Sequence, residues 1–315
     1  MTLGVILEEL CRHAGDAGIF VFNGFASSCF IALASEEVKN AWFPPMARGE
    51  KVVCMGATEA DAGSDLSNLK TIARKDGDYY VINGEKNRVS FGKAGSALVV
   101  LAKTSTTSKA ITPFLVPYDI PGVSLTPIFD MGAESTEASI VSLEDVRIPK
   151  SYMLGDAEGR GFIETMRTFD CNRALLGIMA LAKAEISLEE ACEYSKQRIV
   201  FGKPLAKFEG ISFKLAEAAT KLELGKWLCY KALWMKDQGL RHSKESAMAK
   251  WWCTKNAEDI IHDCLLIHGH YGYSKDLPFE HRLREVIGEQ IGDGAPEIMK
   301  IVISRDILGR EFLPY

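Results

Sequence analysis

One carboxylate of the sequence stands in a setting that suits general-base chemistry. Asp293 lies between Gly292 and Gly294, just before a helix predicted over about residues 296–308. Flanking glycines leave the backbone free, so the carboxylate can be aimed at a substrate. The same pattern, with Pro296 in the first turn, is also typical of an ordinary helix N-cap. Taken by itself, Asp293 fits the N-cap interpretation better.

Two other segments could bind a ligand. Residues 57–65 (ATEADAGSD) follow a β-rich run and are full of small residues and hydroxyls. Such a loop can wrap a polar ligand or the edge of a flat ring, although an ordinary surface loop has the same composition. In residues 197–204 (QRIVFGKP), Arg198 and Lys203 flank the turn residue Gly202. They could hold a pyrophosphate, or they could be a solvated helix end.

The periodicity of apolar residues divides the chain into three parts. Residues 1–50 carry apolar residues at helical spacing, and Ser35 is a suitable N-cap for a helix that Pro44 and Pro45 should end. Residues 51–150 contain short β-rich runs with the turn dipeptides Asp76-Gly77 and Asn83-Gly84 between them, which predicts an antiparallel sheet or small barrel.

The last part, residues 151–315, returns to a helical period. One long apolar stripe runs from Ile211 to Leu233, Gly239 should end that helix, and Ser243 can cap the next. Long helices joined by short loops predict an antiparallel bundle. The fold class is therefore expected to be α+β, with domains at 1–50, 51–150 and 151–315.

Composition and motifs exclude several classes of protein. The net charge of −5 argues against a nucleic-acid surface, and no apolar run reaches the ~20 residues of a membrane span. The eight cysteines form no C-x-x-C pair, which favours buried free thiols in a reducing compartment. No metal site is expected, because the HGHYG segment at 268–272 lacks a further ligand at suitable spacing. The first residues show no basic region typical of a secretory signal.

Five segments in order resemble the motifs of the acyl-CoA dehydrogenase family. They are TEADAGSD (58–65), DGDYYVINGEKNRVSFGKA (76–94), IVSLEDVRIPKSYMLGDAEGRGF (140–162), QRIVFGKPLAKFEGISFKLAE (197–217) and EQIGDGAPEIMKIVISRDILGR (289–310). Five ordered motifs spread along the whole chain make this resemblance specific.

The resemblance implies a fold, a cofactor and a reaction. Its fold would be a partial N-terminal helical domain, a middle antiparallel β-domain and a C-terminal four-helix bundle. FAD would lie between the last two and reach into a neighbouring subunit of a homotetramer. A carboxylate would remove the α-proton of an acyl-CoA while the β-hydrogen leaves as hydride to flavin N5. An electron-transferring flavoprotein would take the electrons. The expected location is the cytoplasm, or the mitochondrial matrix in a eukaryote.

The resemblance also assigns roles to single residues. Asp293 matches the catalytic base, and Gly294 is expected beside the substrate. The cofactor residues by this match are Thr58 and Ser90 for the flavin ring, Arg198 and Phe201 for the FAD of the neighbouring subunit, and Gly269 for the adenine half. The residues for the CoA portion are Ser64 and Arg173.

Some positions depart from the family's pattern. Asp293 replaces Glu, and Asn172 stands where some relatives place the base and cannot act as one. The remaining departures are Arg88 in place of an aromatic residue, Leu266 and Ala295 in place of polar residues, and Glu297 where some members use Gln. The chain also begins late relative to the family, so either its true start lies upstream or part of the substrate wall is reduced.

Three functions remain open on the sequence. The leading one is α,β-desaturation of an acyl-CoA, with a branched or alicyclic acyl group as one way to use the shorter Asp293. The second is a flavin oxidase or monooxygenase, since nitroalkane oxidases of the superfamily use an aspartate here, although Ser64 and Arg173 favour CoA. The third is an inactive subunit without flavin.

Overall fold

The computed structural model describes residues 1–14, 18–105 and 110–313, with side chains given for these residues except 14–23. The helices are α1 (Thr2–Ala14), α2 (Gly18–Leu33), α3 (Glu36–Ala47), α4 (Gly161–Gln197), α5 (Glu209–Asp237), α6 (Ser243–Ile267), α7 (His270–Tyr273), α8 (Phe279–Ile291) and α9 (Pro296–Leu308). The strands are β1 (Val53–Gly56), β2 (Ile72–Asp76), β3 (Tyr79–Val89), β4 (Ala97–Lys103), β5 (Ile111–Pro117), β6 (Val123–Pro127), β7 (Ser139–Pro149), β8 (Ile199–Val200) and β9 (Lys203–Pro204). Helices, a sheet and helices follow one another, which confirms the α+β class.

The chain forms two compact units. The first contains Met1–Ala17 and Asp170–Tyr315, so α1 belongs with the C-terminal helices. Lys226 of α5 explains this placement, because its Nζ lies 2.7 Å from Glu8 of α1 and 2.6 Å from Glu185 of α4. The second unit, Gly18–Phe169, contains α2, α3 and strands β1 to β7.

The sheet of the second unit is mixed rather than antiparallel. Its order is β1-β4-β2-β3-β7-β6, with β5 on β4, and β4 runs parallel to both β1 and β2. The prediction of an antiparallel β-domain is therefore wrong in this detail. Turn dipeptides specify only local hairpins, such as β2–β3 around Gly77, and carry no information on where β4 returns. The run ALVVLAK of β4 is consistent with this parallel pairing, because its first six residues are buried, as in strands covered on both faces.

The predicted hairpin turn at Asn83-Gly84 is also wrong, because β3 runs straight through it. Opposite this point β7 carries an extra residue, Asp145, with φ +49°. Asn83 holds this bulge, since its Nδ2 donates to the Asp145 carboxylate at 3.0 Å and its Oδ1 accepts from the Asp145 N–H at 2.9 Å. Gly84 has φ +148°, and a Cβ there would lie 2.7 Å from the Cα of Thr71. The glycine thus serves a bulge and a close backbone approach.

Two helices cover one face of this sheet. Ser35 caps α3 as expected, its Oγ accepting from the Val38 N–H at 3.3 Å. The predicted end at Pro44-Pro45 is wrong, because α3 continues to Ala47 through both prolines, whose ring fixes φ near the helical value. The residues that α2 and α3 bury with the sheet include Ala26, Phe30, Val38, Trp42, Val53, Val99 and Leu115.

In the first unit, the apolar stripe of α5 is buried from Ala218 to Leu233, and α9 spans the predicted range. The predicted cap at Ser243 is wrong, because the N-cap of α6 is His242 and Ser243 is the first helical residue. His268 is buried and stacks on Tyr194 at 4.4 Å between ring centroids, with its Nδ1 2.8 Å from the Cys264 carbonyl. Within the described part of the chain, no helix is long and apolar enough to cross a membrane.

Gly84→Ala should destabilise the protein by about 2–4 kcal/mol, since it combines a disallowed φ with a backbone collision. Gly210→Ala is the matched control, because a Cβ at this helical position meets nothing within 4 Å and should be neutral or stabilising. Urea unfolding of the two variants measures the difference. Equal midpoints for Gly84→Ala and Gly210→Ala would show that the bulge relaxes without cost.

Candidate active site

The turn between α8 and α9 carries Asp293 in a constrained backbone conformation. α8 ends at Ile291, Asp293 has φ +54°, and Gly294 has φ +111°. Aspartate is one of the few non-glycine residues that adopt the left-handed region, and the position after a helix end is a common place for it. The N-cap of α9 is Ala295, so the interpretation of Asp293 as the helix cap is wrong.

The carboxylate of Asp293 points to α4 instead of to the start of α9. Its Oδ2 accepts a hydrogen bond from Nδ2 of Asn172, a buried residue of α4. Burial raises the pKa of Asp293, while the Asn172 hydrogen bond and the charges of Arg173 and Lys250 oppose that rise. A carboxylate that binds a proton more readily than usual is better matched to taking one from carbon.

Arg173 holds the backbone of this turn from α4. Its Nε donates to the Asp293 carbonyl at 3.0 Å, and its Nη1 donates to the Asp170 carboxylate at 2.8 Å. Asp170 also accepts a hydrogen bond from the Ser243 hydroxyl. The guanidinium is therefore oriented by an acidic partner and is not a loose surface charge.

Lys250 of α6 holds the same turn from the interior of the unit. The residue is fully buried, and its Nζ donates to the Gly294 carbonyl at 2.5 Å and to the Gln290 carbonyl. Burial lowers the pKa of Lys250 to about 8, although the charge of Asp293 opposes the shift. The sequence reasoning missed Lys250. The available signal was a single lysine inside the apolar run 247–253, where a buried cation needs acceptors.

A second buried lysine contacts α8, the helix that precedes this turn. Lys183 of α4 has its Nζ 2.7 Å from both Glu285 and Glu289 of α8. Burial alone would lower the pKa of Lys183, but the two carboxylates raise it above its usual value. This ion triad was also missed, because the three residues are far apart in sequence and share no motif.

The loop with the expected flavin residue Thr58 belongs to the second unit. The Asn87 N–H donates to the Thr58 carbonyl at 2.8 Å, which ties the loop to the end of β3 just before Ser90. The hydroxyl residues Thr58 and Ser90 are both half-buried. The structure thus places these two predicted cofactor residues on neighbouring segments, and Ser64 lies exposed further along the same loop.

A buried ion pair fixes this loop. Glu59 accepts from Lys86 Nζ at 2.7 Å and from the Thr71 hydroxyl at 2.6 Å on the same oxygen, Oε1. Its other oxygen accepts from the Lys70 N–H at 2.5 Å. Burial lowers the pKa of Lys86 to about 8, against the opposing charge of Glu59.

The segment with Arg198 forms a small hairpin between α4 and α5. Strands β8 and β9 pair around Phe201 (φ +50°) and Gly202 (φ +77°). Arg198 is exposed, and Phe201 is 92% exposed. The hairpin thus presents both of these predicted cofactor residues to solvent.

The remaining predicted positions are dispersed. Gly269 has φ +61° and is the N-cap of α7, and Leu266 before it is 54% exposed. Arg88 has φ +56° and pairs with Asp130. Glu297 is exposed with its carboxylate 3.8 Å from Lys300. Of the predicted site residues, the structure brings Asp293, Gly294 and Arg173 together in the first unit.

Comparison with known proteins identifies the class that this fold and site define. The family profile "Acyl-CoA dehydrogenase, middle domain" matches residues 54–146, and "Acyl-CoA dehydrogenase, C-terminal domain" matches residues 159–308. The chain therefore belongs to the acyl-CoA dehydrogenase family of FAD-dependent flavoprotein oxidoreductases.

Individual relatives resemble the chain over nearly all of its length. It is 38% identical to a 3-(aryl)acrylate reductase of Clostridium sporogenes over 96% of this chain and 81% of the relative. It is 32% identical to a cyclohexane-1-carbonyl-CoA dehydrogenase of Geobacter metallireducens over 96% and 80%. The solved structure of butyryl-CoA dehydrogenase from Megasphaera elsdenii is 33% identical, with a TM-score of 0.93 over 97% of this chain and 81% of that one.

Lys250→Met should loosen the turn that carries Asp293, because two carbonyls lose their buried donor. We expect a loss of about 2–4 kcal/mol in the free energy of unfolding. Hydrogen exchange of the amides of residues 292–295 should become about 10- to 100-fold faster. Lys255→Met is the control on the same helix, since Lys255 is exposed and pairs with the partly exposed Glu258 and Asp259. Unchanged exchange in Lys250→Met would show that Arg173 alone fixes the turn.

Proposed function

We propose that the protein catalyses α,β-dehydrogenation of an acyl-CoA thioester and that Asp293 removes the α-proton. The observation that carries this proposal is the placement of Asp293: a carboxylate on a turn fixed by Arg173 and Lys250, buried enough to raise its pKa and hydrogen-bonded to Asn172. A left-handed backbone is common just after a helix end, so the feature that sets Asp293 apart is the buried Asn172 partner of its carboxylate.

The residues around Asp293 suit the two requirements of α-proton removal. The carboxylate has to be ionised and correctly placed, and the Asn172 hydrogen bond serves both needs. The α-carbon becomes more acidic when the thioester carbonyl accepts a hydrogen bond, and the Asp293 N–H can donate it. Arg173 and Lys250 hold the two peptide groups that follow that N–H, by binding the carbonyls of Asp293 and Gly294, and Lys250 also binds the Gln290 carbonyl that precedes it.

The residues present fit FAD as the cofactor. Thr58 and Ser90 offer half-buried hydroxyls on adjoining segments for a flavin ring, and the loop of Thr58 is fixed by Glu59. Arg198 offers an exposed guanidinium for phosphate, and Phe201 offers an exposed ring. FAD, when bound, accepts the β-hydrogen as hydride at N5.

We propose that neighbouring subunits share the FAD site, so a homo-oligomer is part of the proposed function. Arg198 and Phe201 lie on an exposed hairpin, and we assign them to the FAD of a neighbouring subunit, with a tetramer expected. Gly269 is assigned to the adenine half of the cofactor. An electron-transferring flavoprotein is the proposed electron acceptor.

The substrate is proposed to carry a branched or alicyclic acyl group on CoA. Asp is one methylene shorter than Glu, so the α-carbon has to lie closer to the turn than a straight chain with a Glu base requires. The similarity to a relative named cyclohexane-1-carbonyl-CoA dehydrogenase supports this class. Ser64 and Arg173 are assigned to the CoA portion, although Arg173 also binds Asp170 and the Asp293 carbonyl.

A second candidate is the reverse reaction, reduction of an α,β-unsaturated acid derivative. The relative named 3-(aryl)acrylate reductase, at 38% identity, favours it. The raised pKa of Asp293 is compatible with this direction too, because a protonated carboxyl can return the α-proton. A flavin oxidase differs from both in its rapid reoxidation by oxygen, and a stopped-flow comparison under air and argon separates them.

Asp293→Asn should slow flavin reduction by acyl-CoA about 10²- to 10⁴-fold while substrate binding survives, since the size is kept and the base is lost. In the wild type, reduction requires ionised Asp293, so the rate should fall as pH drops through its raised pKa. The variant should lack this pH dependence. Anaerobic stopped-flow with a panel of straight, branched and alicyclic acyl-CoAs measures both effects.

Asp259→Asn provides the control for this substitution, because Asp259 lies half-exposed on α6 and its carboxylate pairs with Lys255. Asp293→Glu should keep part of the activity and shift preference toward straight chains. Wild-type rates in Asp293→Asn would place the base elsewhere and remove the central claim.

Arg198→Ala should weaken FAD retention by about 1.5–3 kcal/mol without a matching loss of fold stability, since a charge-assisted phosphate contact disappears from an exposed hairpin. Desalting followed by a flavin spectrum measures retention. Lys207→Ala, in the exposed turn after the same hairpin, is the control. Full flavin retention in Arg198→Ala, or a monomer that holds FAD at full occupancy, would contradict the shared site.

A further inference from the structure

One of the two polar atoms of the Asn172 side chain has a hydrogen-bond partner within the described residues, and the other has none. Its Nδ2 donates to Oδ2 of Asp293. Its Oδ1 is buried and has no hydrogen-bond partner within the described residues. The residue itself is 2% exposed, so water does not readily satisfy this acceptor. The amide of Asn172 is thus held on one side only, and no second hydrogen bond in the described part of the chain fixes which of its two polar atoms faces Asp293.

The protonation of Asp293 decides which atom of the amide can face it. A protonated carboxyl offers an O–H at the place where the ionised form offers only acceptors. Rotation of the Asn172 amide by about 180° about Cβ–Cγ exchanges its nitrogen and oxygen without moving the helix. Oδ1 then accepts from the Asp293 O–H, in the place where Nδ2 donated before.

We propose that Asn172 is the positioning residue for Asp293 in both of its protonation states, donating to the carboxylate and accepting from the carboxylic acid. The proposal rests on the proposed function, in which Asp293 takes a proton from the substrate. It gives the chain a specific reason to carry an amide at a position where a carboxylate would compete for that proton. The same residue serves both directions of the reaction, since each begins with one of the two states.

The other charged groups around Asp293 are bound elsewhere through their known contacts. Arg173 of α4 donates to the Asp293 carbonyl and to Asp170, and Lys250 of α6 donates to two backbone carbonyls. Glu289 of α8 and Glu297 of α9 act on the charge of Lys250. These groups set a background field, while Asn172 supplies a directional bond to the carboxylate itself.

The direction of the expected change follows from the strengths of the two bonds. The bond to the ionised carboxylate is charge-assisted and is the stronger one, so Asn172 lowers the pKa of Asp293 relative to burial alone. Asn172→Leu, which keeps the approximate size and removes both polar atoms, should therefore raise this pKa by about one unit. At a fixed pH below the midpoint, flavin reduction should slow about tenfold.

Two measurements test the proposal on the FAD-loaded protein. The first is the pH profile of flavin reduction. The second is an infrared titration of the Asp293 carboxyl without substrate, in which the band is assigned by its absence in Asp293→Asn. In Asn172→Leu both midpoints should rise together, and the C=O band of the protonated form should shift because that form loses its acceptor.

Matched variants keep the test specific. Asn172→Ser retains a group that donates and accepts, and its midpoint should lie between those of the wild type and Asn172→Leu. Asn172→Asp should raise the midpoint further, because two carboxyls then share one proton. Asn256→Leu is the control, since Asn256 is a buried amide of α6 that donates to the Trp252 carbonyl at 2.8 Å. It should lose stability without moving either midpoint.

The outcomes separate this proposal from the proposed function. Unchanged midpoints in Asn172→Leu, with Asp293→Asn still slow, overturn the role of Asn172 and leave the base in place. Normal activity in Asp293→Asn overturns the proposed function, while the infrared titration still decides whether Asn172 serves both states. A raised midpoint without a shift of the C=O band shows that Asn172 serves the ionised form alone, which overturns the two-state claim. If Asn172→Leu does not fold, Asn172→Ser and Asn172→Asp decide through the same two midpoints.

Discussion

The fixation of one turn by buried donors is the interaction on which the candidate site depends. Lys250 and Arg173 bind the backbone carbonyls of residues 290, 293 and 294 from two different helices. A buried ammonium group is costly unless it is fully hydrogen-bonded, and a peptide turn between two helices has carbonyls that need donors. Lys250 donates to carbonyls of this turn, so the buried ammonium group gains acceptors and the carbonyls gain a donor. The result is a rigid platform on which Asp293 tolerates a left-handed backbone.

The same physical solution recurs in the second unit. Lys86 is fully buried against Glu59, and this pair fixes the loop that carries Thr58. In both places a buried lysine fixes a short, glycine-containing segment that would not be rigid by itself. Both lysines have a pKa lowered to about 8 by burial, so both positions cost stability for the sake of geometry.

Much of this architecture was predictable from sequence because local rules govern it. The α9 range, the Ser35 cap and the β2–β3 hairpin follow from periodicity, capping and turn chemistry within a few residues. The errors arise where distant segments decide the outcome. Asn83-Gly84 has the composition of a hairpin turn, but the approach of Thr71 and the bulge at Asp145 keep it inside a strand. The parallel course of β4 likewise depends on pairing that no local signal encodes.

The site shows the same division. Asp293 stood out because glycines flank it and because the family resemblance covers it. The contacts of Lys250, Asn172 and the triad of Lys183, Glu285 and Glu289 become visible only in three dimensions, since their partners lie on other helices. An isolated lysine in an apolar helix is visible in sequence, but the carbonyls it binds are not.

Lys250 and Arg173 bind this turn through backbone carbonyl oxygens, which are the same in every amino acid. These hydrogen bonds therefore do not depend on the side chain at position 293. Natural variation at this position can lengthen, shorten or neutralise the side chain without dismantling the scaffold beneath it. Gly294 has no such freedom, because its φ of +111° is one that L-amino acids with a side chain rarely adopt. Evolution of chemistry at this turn is thus confined to one replaceable side chain on a backbone that the interior of the protein keeps constant.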